Sequence, residues 1–143
     1  MTEIVPTKGR IVWYVLSADD AEKINKRRHD ATAHLDYHRS NAIGVMVHVG
    51  NEAKEGAIYP AMVVETWGNK PDSRVNLKVE LDGSDSFWAT SRKVGEGPGT
   101  YHWMEYQKGQ AAKYEALEKE KSALELGAAA RKAGARSSIL KQD

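Results

Sequence analysis

The chain has 143 residues, a formal net charge of +1 and no cysteine. That length fits one domain with a modest core. The near-zero charge gives no global attraction to nucleic acid or anionic lipid, and without cysteine there are no disulfides and no thiolate chemistry. The longest apolar runs, AIGVMV and AMVV, fall far short of a bilayer span, and MTEIVPTKGR lacks the apolar core and cleavage site of a secretory signal. The expected location is the cytoplasm, with no membrane partner.

Gly9 to Leu16 (GRIVWYVL) is β-branched and aromatic behind a glycine, the composition of a first strand buried on both faces. Ser17, three residues ahead of Asp20, gives a capping-box-like start to a helix over residues 18–33 that no Gly or Pro interrupts. Asp19, Asp20 and Glu22 near its start, with Arg27, Arg28 and His29 later, suit the helix macrodipole. Its apolar stripe of Ala21, Ile24 and Ala31 is thin, which predicts a surface helix followed by a loop from His34 to Asn41.

Three strands and a partner follow. Ala42 to Val49 is one; Tyr59 to Trp67 is another, which Pro60 restricts to a sheet edge or to the strand's beginning. Val75, Leu77, Val79 and Leu81 alternate with Asn76, Lys78 and Glu80, a clean period of two. Asp82-Gly83 supplies a tight turn, and Ser86 to Ser91 returns as the second arm of a hairpin. Five or six short strands at this spacing predict a mainly β fold with α, an α+β class. The expected form is a small antiparallel sheet over residues 1–103 curled into a barrel, with a two-sheet sandwich as the alternative.

Beyond Trp103 the composition turns to Ala, Glu, Lys and Leu, which predicts a long helix over residues 104–135 and a basic tail over 136–143. Tyr114, Leu117, Lys121, Leu124 and Ala128 recur at alternating spacings of three and four. So thin a seam leaves an isolated helix marginal, so self-association or docking through it is expected. Arg131, Lys132, Arg136 and Lys141 face a single late acid, Asp143. They read as a solvated end or an anion-reaching arm.

The succession GRIVWYVLS, AEKINKRR, VHVGN, YPAMVVETWG, VNLKVELDGSD, WATS and GEGPGTYHW resembles a set of small, largely uncharacterised proteins encoded by tailed bacteriophages and prophages. The resemblance covers about residues 8 to 103. Those relatives commonly end in HWP soon after the last motif, whereas this chain continues as HWM into the long helix. A phage origin and an accessory role are what the resemblance implies; it carries no catalytic residues.

The candidate chemistries are weak on their own residues. His34 and His38 share a helical face only if the segment is helical, and no Glu completes a metalloprotease pattern, so no metal is expected. Asp82 and Asp85 are accounted for by turn chemistry, and Ser84, Ser86 and Ser91 lack a nucleophile-elbow context. Gly95 to Thr100 (GEGPGT) could bring backbone amides to a phosphate, but it leads into Tyr101, His102 and Trp103 rather than into Lys-Ser/Thr and a helix. Neither an enzyme nor a cofactor is expected.

The aromatics carry the stronger hint. Four tryptophans stand beside one phenylalanine, and indole faces next to guanidinium groups suit a planar anionic ligand. The expected ligand-binding residues are Asn25, Arg27, Arg28, Trp67, Asn76, Trp88, Arg92, Tyr101, His102, Trp103 and Arg131. With the phage resemblance, they point to a non-enzymatic sponge that sequesters a nucleotide-derived immune signal, as phage sponges do with cyclic ADP-ribose isomers and cyclic oligonucleotides. An inhibitor of a host defence enzyme or nuclease and a small nucleic-acid-binding barrel are the alternatives.

Overall fold

The computed structural model describes residues 3–34 and 48–140, the last five as backbone only. Among them the order is β1 (Ile11–Val15), α1 (Ala18–Ala33), β2 (Ile58–Trp67), β3 (Arg74–Glu80), β4 (Ser86–Arg92), β5 (Tyr101–His102) and α2 (Glu105–Leu140). The strand expected from Ala42 lies, through Val47, outside the described residues, as does His38. The chain divides into two units, residues 5–104 and the long helix with residues 1–4.

The strands form one antiparallel sheet in the order β4-β3-β2-β1-β5. Its inner face buries Val12, Tyr14, Ala61, Val63, Val75, Leu77, Val79, Ala89 and Tyr101. Each aliphatic side chain taken from water there stabilises by about 1.5–3 kcal/mol. The alternation read in β3 holds, since Val75, Leu77 and Val79 are all buried. β1 departs from its expected burial on both faces: Val12 and Tyr14 are buried, but Ile11 and Trp13 are only half-buried. An antiparallel sheet needs one packed face, and here the other meets solvent.

The expected barrel is not closed. β4 and β5 remain the two edges, joined at one end only, where Tyr101 N–H donates to Lys93 O (3.1 Å) and Gly95 N–H to Tyr101 O (2.8 Å). Ion pairs tie α1 to the two ends of β4. Asp20 of α1 pairs with Arg92 at one end of β4, and Arg28 of α1 pairs with Asp85 just beyond the other. The stripe of α1 that is buried is Asp20, Ala21, Ile24 and Arg28, spaced by a helical turn but half polar. That is why an apolar count read α1 as a surface helix.

Two local expectations are also corrected. Asp82-Gly83 is not a two-residue turn, because β3 ends at Glu80 and β4 begins at Ser86, leaving a five-residue loop. Pro60 is the third residue of β2, which lies inside the sheet, not at its edge. The ladder to β3 begins only at Ala61, while Pro60 aligns with Trp13 of β1. Its missing N–H therefore costs no bond to β3.

Within the second unit, α2 runs unbroken through Gly127 and Gly134. Glu115 pairs with Lys119 at 3.0 Å and Glu105 with Lys108 at 3.0 Å, the i,i+4 and i,i+3 contacts that support a helix by a few tenths of a kcal/mol each.

Candidate functional site

The eleven residues expected to hold a ligand are dispersed over several places. At the C-terminal half of α1, Asn25 is committed to backbone: its Nδ2 donates to Ala53 O (2.8 Å) and its Oδ1 accepts from Ala53 N–H (2.9 Å). Arg28 is nearly enclosed and donates to both oxygens of Asp85 and to the carbonyls of Asn51 and Asp82. Arg27 adds a bond to Asp85 Oδ2 (2.5 Å). The Arg28 hydrogen bonds, reinforced by Arg27, hold the Asp85 carboxyl down at about 2. These side chains clamp α1 to the loops at 48–53 and 81–85. Gly50 belongs to the same clamp, since a Cβ there would overlap the Asp82 carbonyl oxygen at 1.4 Å.

Arg92 is on the inner side, in a second structural network. Its Nη2 lies 2.9 Å from Asp20 Oδ1, and its guanidinium stands 5.8 Å from the centre of the Tyr14 ring. Tyr14 Oη donates to Asp20 Oδ2, which also accepts from Ser17 N–H (3.0 Å), while Ser17 Oγ accepts from Asp20 N–H (3.1 Å). The capping box read from Ser17 and Asp20 is thus present, and its carboxylate is also the centre of a buried network. Burial, then the bond to Asp20, pushes the Tyr14 phenol well above its ordinary range.

Tyr101 and Trp103 are buried and meet edge to face at 6.1 Å, with Arg10 6.0 Å from the Trp103 ring. They are core residues, not an open platform. The GEGPGT run links β4 to β5 with three of its amides in use: Gly95 N–H donates to Tyr101 O, Gly99 N–H to Val15 O and Thr100 N–H to Gly97 O. Ser84 Oγ donates to His48 O. Arg131 is an exposed residue of α2, in the other unit.

What remains is the outer face of the sheet. Trp67 and Trp88 are each 60% exposed, unusual for side chains of that size. The register sets a cation directly across from each, Arg74 opposite Trp67 and Lys78 opposite Trp88. The two pairs are four positions apart on β3, about 13 Å along the strand. Ile11, Met62, Lys78 and Trp88 align as a row across β1 to β4, and His102 aligns with Trp13 on the same side. Glu65, an acid on this part of β2, is paired with Lys8 at 3.1 Å, which lowers its carboxyl below the usual range.

Asn76 is engaged within the sheet. Its Oδ1 accepts from Trp67 Nε1 (3.2 Å) and from Ser91 N–H (2.9 Å). The second bond fills a bulge: Val75 aligns with Arg92 and Leu77 with Ala89, so Asn76 faces two residues of β4, and Ser91 adopts a φ of 54°. Asn76 therefore positions the Trp67 ring. The expected set leaves out Arg74, Lys78 and Met62, which the register places on this face. Alternation assigns Lys78 to the face of Asn76, but which residue lies across from Trp88 is set by the five-residue loop between β3 and β4, whose length the pattern does not reveal.

Among the described residues no group of His, Asp and Glu could hold a metal ion, and no helix is long and apolar enough to cross a membrane. No family model, curated protein or solved structure matches this chain.

Proposed function

We propose that this protein is a non-enzymatic binding protein whose outer sheet face takes a nucleotide-derived ligand, with bases stacking on Trp67 and Trp88 and phosphate held by Arg74 and Lys78. The observation that carries the reading is the pairing of two exposed tryptophans on one face, each with a cation across from it. Indole stacking is worth about 1–3 kcal/mol per base and tolerates any base, while the cations supply charge-assisted bonds to phosphate. With the phage resemblance, this gives a counter-defence protein of the host cytoplasm that sequesters a nucleotide signal. It narrows the ligand-binding set to the outer face, because Asn25, Arg28 and Arg92 are held by structural partners away from that face, whereas Arg74 donates through Nη1 to Ser91 O (2.8 Å) but is an exposed side chain.

Calorimetry with a panel of cyclic nucleotides and a short single-stranded oligonucleotide tests it. Binding that Trp67→Ala and Trp88→Ala each weaken at least tenfold is expected. The signalling-molecule arm and the oligonucleotide arm separate the two sources of the same chemistry. No heat with any member of the panel, or binding indifferent to both substitutions, ends the proposal.

A second reading is favoured by Ile11 and Met62, which a nucleotide does not require. An apolar row beside a large exposed aromatic is the composition of a protein interface centre. In that case the face docks a host defence protein. Trp88→Ala would abolish recovery of one partner from host lysate, with no effect of added nucleotide.

A further inference from the structure

β3 presents more to the outer face than two cations. Arg74, Asn76 and Lys78 share that side of the strand, because Val75, Leu77 and Val79 alternate with them into the core. Asn76 is 8% exposed, and its Oδ1 accepts from both Trp67 Nε1 and Ser91 N–H, which fixes the way the amide points. Its Nδ2 faces away from them and meets no acceptor among the described residues. A nearly enclosed amide donor gains from an acceptor. Arg74 gives Nη1 to Ser91 O (2.8 Å), but it is exposed and keeps other donors, and Lys78 is exposed as well. A guanidinium, an amide and an ammonium therefore stand in line on one strand.

We propose, taking this face as the ligand site, that its ligand is a linear single-stranded oligonucleotide with three successive phosphates laid along β3 on Arg74, Asn76 and Lys78. Outward positions of a β-strand repeat every 6.7 Å or so, about 6.7 Å from one donor to the next. That repeat is close to the distance between neighbouring phosphates of an extended nucleic-acid strand, so each phosphate meets one donor without compression of its backbone. Trp67 belongs to β2 and Trp88 to β4, on either side of β3. Bases that leave the track to opposite sides reach one ring each. A single nucleotide has one base and cannot use both rings. A cyclic dinucleotide closes its two phosphates into one ring and cannot set three in line.

Charge bounds the track at both ends. Glu80 holds the next outward position of β3, and Asp72 stands two residues ahead of Arg74; both are exposed. A further phosphate at either end would approach a carboxylate, which repels it. Glu65, the acid across from Asn76, is offset by Lys8 at 3.1 Å and leaves the middle of the track open to an anion. Three phosphates join four nucleotides, which sets the length that the face recognises.

Oligothymidylates with hydroxyl ends, from the dinucleotide to the hexanucleotide, and a cyclic dinucleotide are titrated against the full chain by tryptophan fluorescence. Affinity is expected to rise at least tenfold from the dinucleotide to the tetranucleotide and to level there. With two cations on the phosphates, log K should fall against log salt with a slope of about −1.4, and Lys78→Gln should reduce that slope by about 0.7. Asn76→Asp keeps an oxygen for Trp67 and Ser91 but replaces the donor with an acceptor, and should weaken the tetranucleotide at least tenfold. Lys78→Gln, at an exposed position, carries the test on a folded chain if Asn76→Asp unfolds it. The cyclic dinucleotide or the linear dinucleotide binding as tightly as the tetranucleotide, with Trp67→Ala and Trp88→Ala still weakening it, keeps the face as a nucleotide site and overturns the track. Affinity that climbs steadily to the hexanucleotide overturns its length. No binding by any member removes both the track and the site.

Discussion

Arg28, near the end of α1, grips Asp85, just ahead of β4, through two hydrogen bonds, Nη2 to Oδ1 at 2.8 Å and Nε to Oδ2 at 3.1 Å. Arg28 is nearly enclosed at 8% exposure, and two loops meet on its guanidinium. Removing the acceptor leaves a buried charge short of partners. Asp85→Ala is expected to cost about 2–3 kcal/mol, less than the ~3–5 kcal/mol of a fully buried pair because Asp85 keeps some contact with water. Arg27→Ala, at a more exposed cation, costs under about 1 kcal/mol. Urea unfolding of the two variants measures the difference.

The same pair sets an acid limit. Asp85 is lowered from 3.8 to about 2 in the folded chain, first by Arg28 and then by Arg27. A depressed carboxylate contributes stability that is present above its unfolded value and is lost as pH falls through its folded one. Stability therefore drops between about pH 4 and pH 2, with about 1 kcal/mol of the loss belonging to Asp85 after screening by solvent. Asp85→Asn abolishes that part of the slope. An unchanged slope in Asp85→Asn would remove Asp85 from the account.

At the alkaline end the sign reverses in pH. Burial raises Tyr14, with Asp20 adding to it, and burial raises Tyr101. A phenol raised above its unfolded value contributes stability that is complete below about pH 10 and is lost as pH climbs toward the folded value. Spectrophotometric titration should show Tyr14 and Tyr101 ionising only as the sheet opens. Tyr14→Phe removes one phenol from the late phase and destabilises by about 1–3 kcal/mol, because Asp20 loses a donor inside the core.

The four tryptophans divide by burial. Trp103→Ala, at 6% exposure, is expected to cost about 3–5 kcal/mol in unfolding free energy and to leave little folded protein to assay. Trp88→Ala and Trp67→Ala, at 60% exposure, change stability by less than about 1 kcal/mol and act on binding instead. Asn76→Ala does both: it costs about 1–3 kcal/mol by orphaning the Ser91 N–H, and it releases the Trp67 ring and weakens whatever stacks there. Thermal melts beside ligand titrations separate the two effects.

Local chemistry was legible wherever it is local. The Ser17–Asp20 cap, the alternating β3 and the long Ala- and Glu-rich helix each depend on residues within a few positions of one another, so composition and period were enough. The aromatic hint survived in part, since Trp67 and Trp88 do stand open. Trp103 and Tyr101 carry the same chemistry in the core, and no property of an isolated indole distinguishes the two fates.

The arginines show most plainly where sequence reasoning ends. Arg28 and Asp85 are 57 positions apart, and Arg92 and Asp20 72 apart, so a charged residue looks available to a ligand until the chain brings its partner to it. The sequence alone carries the periods, the cap and the heptad spacing, all set by bonding and sterics along the backbone. Only the folded sheet decides which side chains are already satisfied and which cations lie across from Trp67 and Trp88. That choice depends on the strand register set by the loops at 68–73 and 81–85, and a shift of one residue would turn every side chain to the opposite face.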